Sequence, residues 1–154
     1  MVIFERPIKF EEVDAANIVF FGRFVTYAHE AMEHFFNALD GGYAHLIIDR
    51  RVGLPAVHFE MSFTKPVRYG DRLRIETSVA HVGNRSAVLY YRMIQARNGV
   101  LSAVLRHKVV TTDLNTLSSC VMPADVRALL LAHLDPIDPP LDPIDPPSPA
   151  EPST

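Results

Sequence analysis

One cysteine, Cys120, is all that this chain of 154 residues contains, which excludes an internal disulfide framework and a zinc site of clustered cysteines. No apolar run approaches the roughly 20 residues that cross a bilayer, so no transmembrane helix is expected. The opening residues Met1-Val2-Ile3-Phe4-Glu5-Arg6 lack the basic segment and long apolar core of a secretory signal. A cytoplasmic location is the resulting expectation. A strong charge excess is missing too. The net charge is −3, but residues 135–154 hold Asp135, Asp138, Asp142, Asp145 and Glu151 and no Lys or Arg. Taking those five from the 18 acids leaves 13 against 15 bases in the rest of the chain. So neutral a body lacks the basic footprint of a nucleic-acid binder, and neither nucleic acid nor membrane is an expected partner.

What is present suffices for one packed domain, with 48% of residues hydrophobic and 21% charged. The last segment stands apart. Asp135-Pro-Ile-Asp-Pro-Pro-Leu141 is followed by Asp142-Pro-Ile-Asp-Pro-Pro-Ser148, a seven-residue unit used twice. Proline lacks a backbone donor and fixes φ, so neither a helix nor a central strand runs through such a repeat. The expectation is a domain over residues 1–134 and a disordered Pro- and Asp-rich tail over 135–154. A linker or docking peptide is the rival reading of the tail, and no chemistry is assigned to it.

Hydrophobic periodicity orders the body. Ile3, Phe4, Ile8 and Phe10 predict a strand over residues 2–10. Phe24, Ala28, Ala31, Phe35 and Leu39 recur at three- and four-residue spacing and predict a helix over 23–39, ended by Asp40-Gly41-Gly42. A short helical piece over Ala44–Asp49 follows. From Pro55 the period becomes two: Val57, Phe59, Met61 and Phe63 alternate with His58, Glu60, Ser62 and Thr64. Leu73, Ile75, Thr77 and Val79 give a second such strand, Ser86–Ala96 a third and Val100–Thr112 a fourth. Turn signals separate them at Tyr69-Gly70-Asp71, Gly83-Asn84 and Arg97-Asn98-Gly99. Pro123–His133 predicts a closing helix. Short connections make the strands an antiparallel meander, and the long helix must bury its stripe on that sheet. The class is α+β, a long helix wrapped by a curved antiparallel sheet. A long free edge strand then predicts a homodimer or larger homo-oligomer.

Between the first strand and the long helix runs Glu11-Glu12-Val13-Asp14-Ala15-Ala16-Asn17-Ile18-Val19-Phe20-Phe21. Together with Ala28-His29-Glu30-Ala31-Met32-Glu33, Leu54-Pro55-Ala56-Val57-His58 and Lys65-Pro66-Val67-Arg68-Tyr69-Gly70-Asp71, it resembles the 4-hydroxybenzoyl-CoA thioesterase family of hot-dog enzymes. Within that family the look is of the 1,4-dihydroxy-2-naphthoyl-CoA thioesterase members. The resemblance covers about residues 3–113 and rests on the order and spacing of the motifs together. It implies the hot-dog fold and hydrolysis of an acyl-CoA or acyl-carrier thioester with an aromatic or medium acyl group. No cofactor is implied beyond the coenzyme A carried by the substrate, and no metal. Asp14 matches the family's catalytic aspartate. The amides of Phe21, Gly22 and Arg23 match the position that polarises the thioester carbonyl, and His58 matches a residue that reaches substrate. Arg85, following a turn where related enzymes carry basic residues, leads the candidates for the coenzyme A phosphates, with Asn84, Lys65, Arg68 and Arg106. Asn17 stands where the family usually has glycine, and asparagine is the next most tolerant residue of left-handed backbone.

Elementary chemistry points the same way. Thioester hydrolysis builds negative charge on the carbonyl oxygen, and free amides at a helix N-terminus stabilise it. A nearby carboxylate attacks the carbonyl or activates a water, and the sequence does not choose between these routes. Each residue has a plainer reading. Spacing alone makes Asp14 a loop or capping residue. Core packing explains Phe20, Phe24 and Tyr27 nearly as well as an acyl pocket does, and the basic residues are ordinarily surface charges. A dimer-surface role competes for His58. Glu30 and Glu33 read as solvated or salt-bridged helix acids, and Glu12 as solvent-facing. A hydratase would need a histidine close after Asp14, and none precedes His29. A non-catalytic acyl-binding module is the remaining rival.

Overall fold

Alternating apolar side chains between residues 72 and 110 lay down most of the sheet. In the computed structural model, which describes residues 1–135, they form β4 (Arg72–Val82), β5 (Ser86–Gln95) and β6 (Leu101–Val110). β1 (Val2–Pro7) pairs with β4, and β3 (Ala56–Phe63) pairs with β6, completing an antiparallel sheet in the order β1-β4-β5-β6-β3. Bulges interrupt the register at Val79/His81, Ala56/His58 and Met93/Ile94, and such extra residues bend a sheet. Across the concave face Phe59 lies opposite His107, which lies opposite Leu89, and Met61–Leu105–Tyr91 form the next row. α1 (Arg23–Phe36) fills that face, burying Tyr27, Ala31, Phe35 and Phe36 completely. Each such large side chain stabilises the fold by roughly 1.5–3 kcal/mol through area removed from water.

α1 stops at Phe36, three residues short of the expected end. Asn37 is the reason: its Oδ1 accepts the Tyr43 amide at 3.0 Å, and the chain tightens into i→i−3 bonds from Ala38 to Phe35 and from Leu39 to Phe36. Gly41 and Gly42, both at positive φ, then turn the chain into α2 (Gly42–Ile48). The first strand also ends early. After Pro7 the chain enters a 3-10 turn, Phe10–Glu12, that leaves the Phe10 ring exposed. The fourth expected strand breaks at Thr111. Its end becomes β7 (Thr112–Asp113), which joins β2 (Val52–Gly53) and β8 (Ser118–Ser119) in a small second sheet that the periodicity did not signal. α3 (Ala124–Ala132) closes the described chain, with Pro123 as its N-cap, and Asp135 donates to the carbonyl of Val79 beside the β4 bulge. Only Asp135 of the expected tail lies within the described residues. Among those residues no helix is long and apolar enough to cross a membrane.

Among the described residues neither edge of the larger sheet has a strand partner, and β3 is the more exposed, with Val57 and part of Phe63 open to solvent. Leu105 sits at the opposite extreme, fully buried between Met61 and Tyr91. Leu105→Ala is expected to cost about 2–5 kcal/mol of stability, the usual range for emptying a core site, measured by urea denaturation.

Candidate active site

A buried ion pair underlies the loop that holds Asp14. Arg6, at the end of β1, forks onto Glu12, with Nη2 to Oε1 at 2.6 Å and Nη1 to Oε2 at 3.1 Å. Its Nε donates to Glu30 of α1 at 2.8 Å, and its guanidinium carbon lies 3.9 Å from the centroid of the Tyr27 ring. The Lys9 amide adds a 2.8 Å bond to Glu12 Oε2. Glu12 is therefore buried, not solvent-facing: closing the 3-10 turn delivers it to a cation that sequence spacing alone does not reveal. Burial by itself raises the Glu12 carboxyl, but the bonds from Arg6 and the Lys9 amide outweigh it and hold the group below its ordinary value. Burial, then the charge of Glu12, push the Tyr27 phenol up, and its hydroxyl makes no hydrogen bond of good geometry among the described residues. Glu30 thus takes the salt-bridge reading, and Glu33 meets His29 at 3.4 Å.

From this anchor the loop doubles back, Val13 bridging Val19. The Asp14 amide donates to Ile18 O and the Asn17 amide to Asp14 O, both at 2.9 Å. Asn17 takes φ of +60°, the left-handed position that glycine would otherwise fill. Asp14 Oδ1 accepts the Ala16 amide at 2.8 Å, which fixes the carboxylate toward solvent. That carboxylate borders a cavity of about 450 Å³ whose walls include Phe20, Phe21, Phe24, Phe63 and Lys65. Phe24 and Phe63 meet edge-on at 5.1 Å, joining α1 to β3.

The start of α1 supplies amides. Phe20 N donates to Glu12 O, Arg23 N to Phe20 O at 2.9 Å, and Phe24 N to Phe21 O at 3.2 Å. The Arg23 amide is thereby engaged. Those of Phe21 and Gly22 have no acceptor among the described residues. Gly22 has ordinary helical φ, so its lack of a side chain serves space: a Cβ there would stand 3.0 Å from Cε1 of Phe20.

The remaining candidates scatter. Tyr27 is fully buried beside Arg6 and lines neither this cavity nor the one described next. His58 is exposed on β3 and bonded to Glu60 at 2.9 Å, away from both. Arg68 donates to Asn17 O at 3.4 Å, at the rim of the Asp14 loop. Arg106 is 3.9 Å from Glu60. Arg85 reaches Ser119 Oγ at 3.2 Å, and Asn84 O accepts the Met122 amide. Those two immediately precede β5, while the loop walling the Asp14 cavity bonds to Gln95 at its end, ten residues and about 30 Å from Arg85 in one subunit.

A second cavity, of about 390 Å³, went unsuspected in the sequence. It lies between α1, α2 and β3, lined by Ala28, His29, Met32, Tyr43, Phe59 and His107 among others. His107 is buried, its Nδ1 3.5 Å from the Tyr91 hydroxyl. Burial, with a smaller contribution from His29, pushes it down to about 4, so it is neutral at pH 7. The signal available was period two, which sets His107 inward with Leu105 and Val109.

A sequence profile described as the thioesterase-like superfamily matches residues 8–130. The 1,4-dihydroxy-2-naphthoyl-CoA hydrolase of Synechococcus elongatus is 34% identical over 105 residues, 68% of this chain and 77% of that one. A solved gentisyl-coenzyme A thioesterase superposes with a TM-score of 0.75 at 28% identity, covering 84% of this chain and 99% of its own. A thioesterase-superfamily structure from Jannaschia sp. CCS1 gives a TM-score of 0.80 at 27% identity, covering 87% and 93%.

Arg6→Met leaves the Glu12 carboxylate buried without its cation and should cost about 3–5 kcal/mol in urea denaturation. Because Glu12 is held below its ordinary 4.5, its contribution is complete above that pH and disappears as pH falls through the lowered value. Glu12→Gln should therefore flatten the acid limb of stability against pH.

Proposed function

The chain belongs to the thioesterase-like superfamily and has its hot-dog fold, and we propose that it hydrolyses an acyl-CoA thioester with Asp14 as the reacting carboxylate. The observation that carries this reading is one cavity bordered by both Asp14 and Phe21, whose amide, just ahead of a 14-residue helix, has no acceptor among the described residues. A thioester carbonyl placed there meets the helix N-terminus as its oxygen becomes negative, where donors fixed in advance stabilise the charge. The Ala16 bond orients the carboxylate through Oδ1 and leaves Oδ2 to act. In one route Oδ2 attacks the carbonyl carbon, the C–S bond breaks to release coenzyme A thiolate, and water hydrolyses the resulting anhydride. In the other, Oδ2 takes a proton from water as the hydroxide adds, and the thiolate leaves and is then protonated. An aromatic acyl group suits the four phenylalanines at the cavity and the naphthoyl substrate named for the Synechococcus relative. Of the basic candidates, Lys65 on the cavity wall and Arg68 at the loop's rim are those near Asp14, and we assign them to the coenzyme A part of the substrate.

We further infer a homodimer or homotetramer, because the outer edge of the eight-residue β3 is unpaired among the described residues and a second copy satisfies its backbone groups. Sedimentation equilibrium should give a multiple of the chain mass, and a monomer would refute this. Asp14→Asn should lower kcat by roughly 10²–10⁴-fold, followed as free-thiol release from a panel of acyl-CoA esters. Unchanged turnover in that variant would remove Asp14 from the mechanism.

A further inference from the structure

We propose that Arg6 is a positioning residue for the hydrolysis, its contacts with Glu12 and Glu30 setting the Asp14 carboxylate against the amides of Phe21 and Gly22. The inference rests on the thioesterase reading of Asp14. Arg6 is buried and lines neither cavity, so any effect on the reaction passes through other residues. Two links run from it. The first is the turn. The fork onto both Glu12 oxygens fixes that carboxylate in angle as well as distance, which a single bond from a point charge would not. The Glu12 carbonyl accepts the Phe20 amide at 3.1 Å, Val13 bridges Val19, and the Asp14 amide donates to Ile18 O at 2.9 Å. Residues 12–20 are thereby a closed ladder, with Asp14 two residues along from the clamped end. The second link is the helix. Arg6 Nε donates at 2.8 Å to Glu30, seven residues beyond Arg23 and so about 10 Å along the axis from the start of α1.

Stability alone is a poor reason for this arrangement. Taking a guanidinium and a carboxylate out of water costs much of what their attraction returns, and apolar side chains of similar volume often serve as well. What the pair supplies and apolar packing does not is a fixed direction. The Tyr27 ring, its centroid 3.9 Å from the guanidinium carbon, and the Lys9 amide, 2.8 Å from Glu12 Oε2, take up the freedom that remains. Precision of this kind matters where a carbonyl carbon must meet Oδ2 of Asp14 while its oxygen meets an amide. A displacement of about 1 Å there costs on the order of a hundredfold in rate. Binding of the substrate is less exposed to such a shift, because Phe63, Thr64 and Lys65 wall the cavity and lie outside the ladder.

The test is steady-state kinetics of the full-length protein on whichever acyl-CoA ester wild type turns over fastest. Arg6→Lys keeps the charge and loses the fork. It should lower kcat by roughly tenfold to a hundredfold and leave KM within about threefold of wild type. Leu105→Ala, destabilised at a site outside the ladder, should keep its kcat wherever it remains folded, and an equal loss there overturns the proposal. With the carboxylate gone there is nothing left to align, so in the Asp14→Asn background Arg6→Lys should have less than about a threefold effect. Unchanged kcat in folded Arg6→Lys, or a full-sized effect on top of Asp14→Asn, overturns the proposal. Should Arg6→Lys fail to fold, Glu30→Ala releases α1 from the anchor at a part-exposed helix site. It should lower kcat by about threefold or more, and Glu30→Gln, which keeps an acceptor for Nε, should restore most of the loss. Wild-type kcat in both Glu30 variants again overturns the proposal. Absence of turnover for every ester in wild type, or unchanged turnover in Asp14→Asn, is a distinct result that refutes the reading on which the proposal stands.

Discussion

The pairing of Arg6 with Glu12 ties the reacting end of the molecule together. A guanidinium removed from water needs its donors satisfied, and here β1, the 3-10 turn and α1 each supply part of the answer through Arg6, Glu12 and Glu30. The two-pronged contact leaves the turn little freedom to slide. Asp14 follows Glu12 by two residues, and the Glu12 carbonyl also accepts the amide of Phe20, just ahead of the helix. One buried charge pair thus fixes the carboxylate and the helix start relative to each other.

Around this anchor α1 and the edge strand β3 contribute walls to two cavities, the second closed further by α2 and the small second sheet. Phe24 and Phe63 meet on the wall of the cavity that holds Asp14 and Lys65, and the other cavity holds His107. A second subunit on β3 would sit alongside both cavities, because Phe63 lines one and Phe59 the other.

The sequence was most legible where structure is periodic. Phe24, Ala28, Ala31 and Phe35 are all buried as the helical stripe requires, but only three of the four alternating strands, β4, β5 and β6, form the expected meander, while β3 crosses over to pair with β6 at the far edge. Boundaries were lost to local polar contacts, as at Asn37, whose side chain ends one helix to start another. Burial of Glu12 escaped because a carboxylate looks the same in sequence whether or not a cation is folded over it. Tyr27, grouped with the aromatic residues of the loop, turns instead under Arg6. The remoteness of Arg85 was readable in principle. Strands of a meander alternate direction, so the turn after β4 falls at the opposite end from the loop before it. His107 was hidden by its apolar row, which the eye reads as core.

Gly22 couples two positions in what mutation can do to this site. Any side chain there meets the Phe20 ring before anything else. A side chain at this position therefore needs the half-exposed phenylalanine ring to give way by a few tenths of an ångström, so the tolerance of one position depends on the freedom of the other.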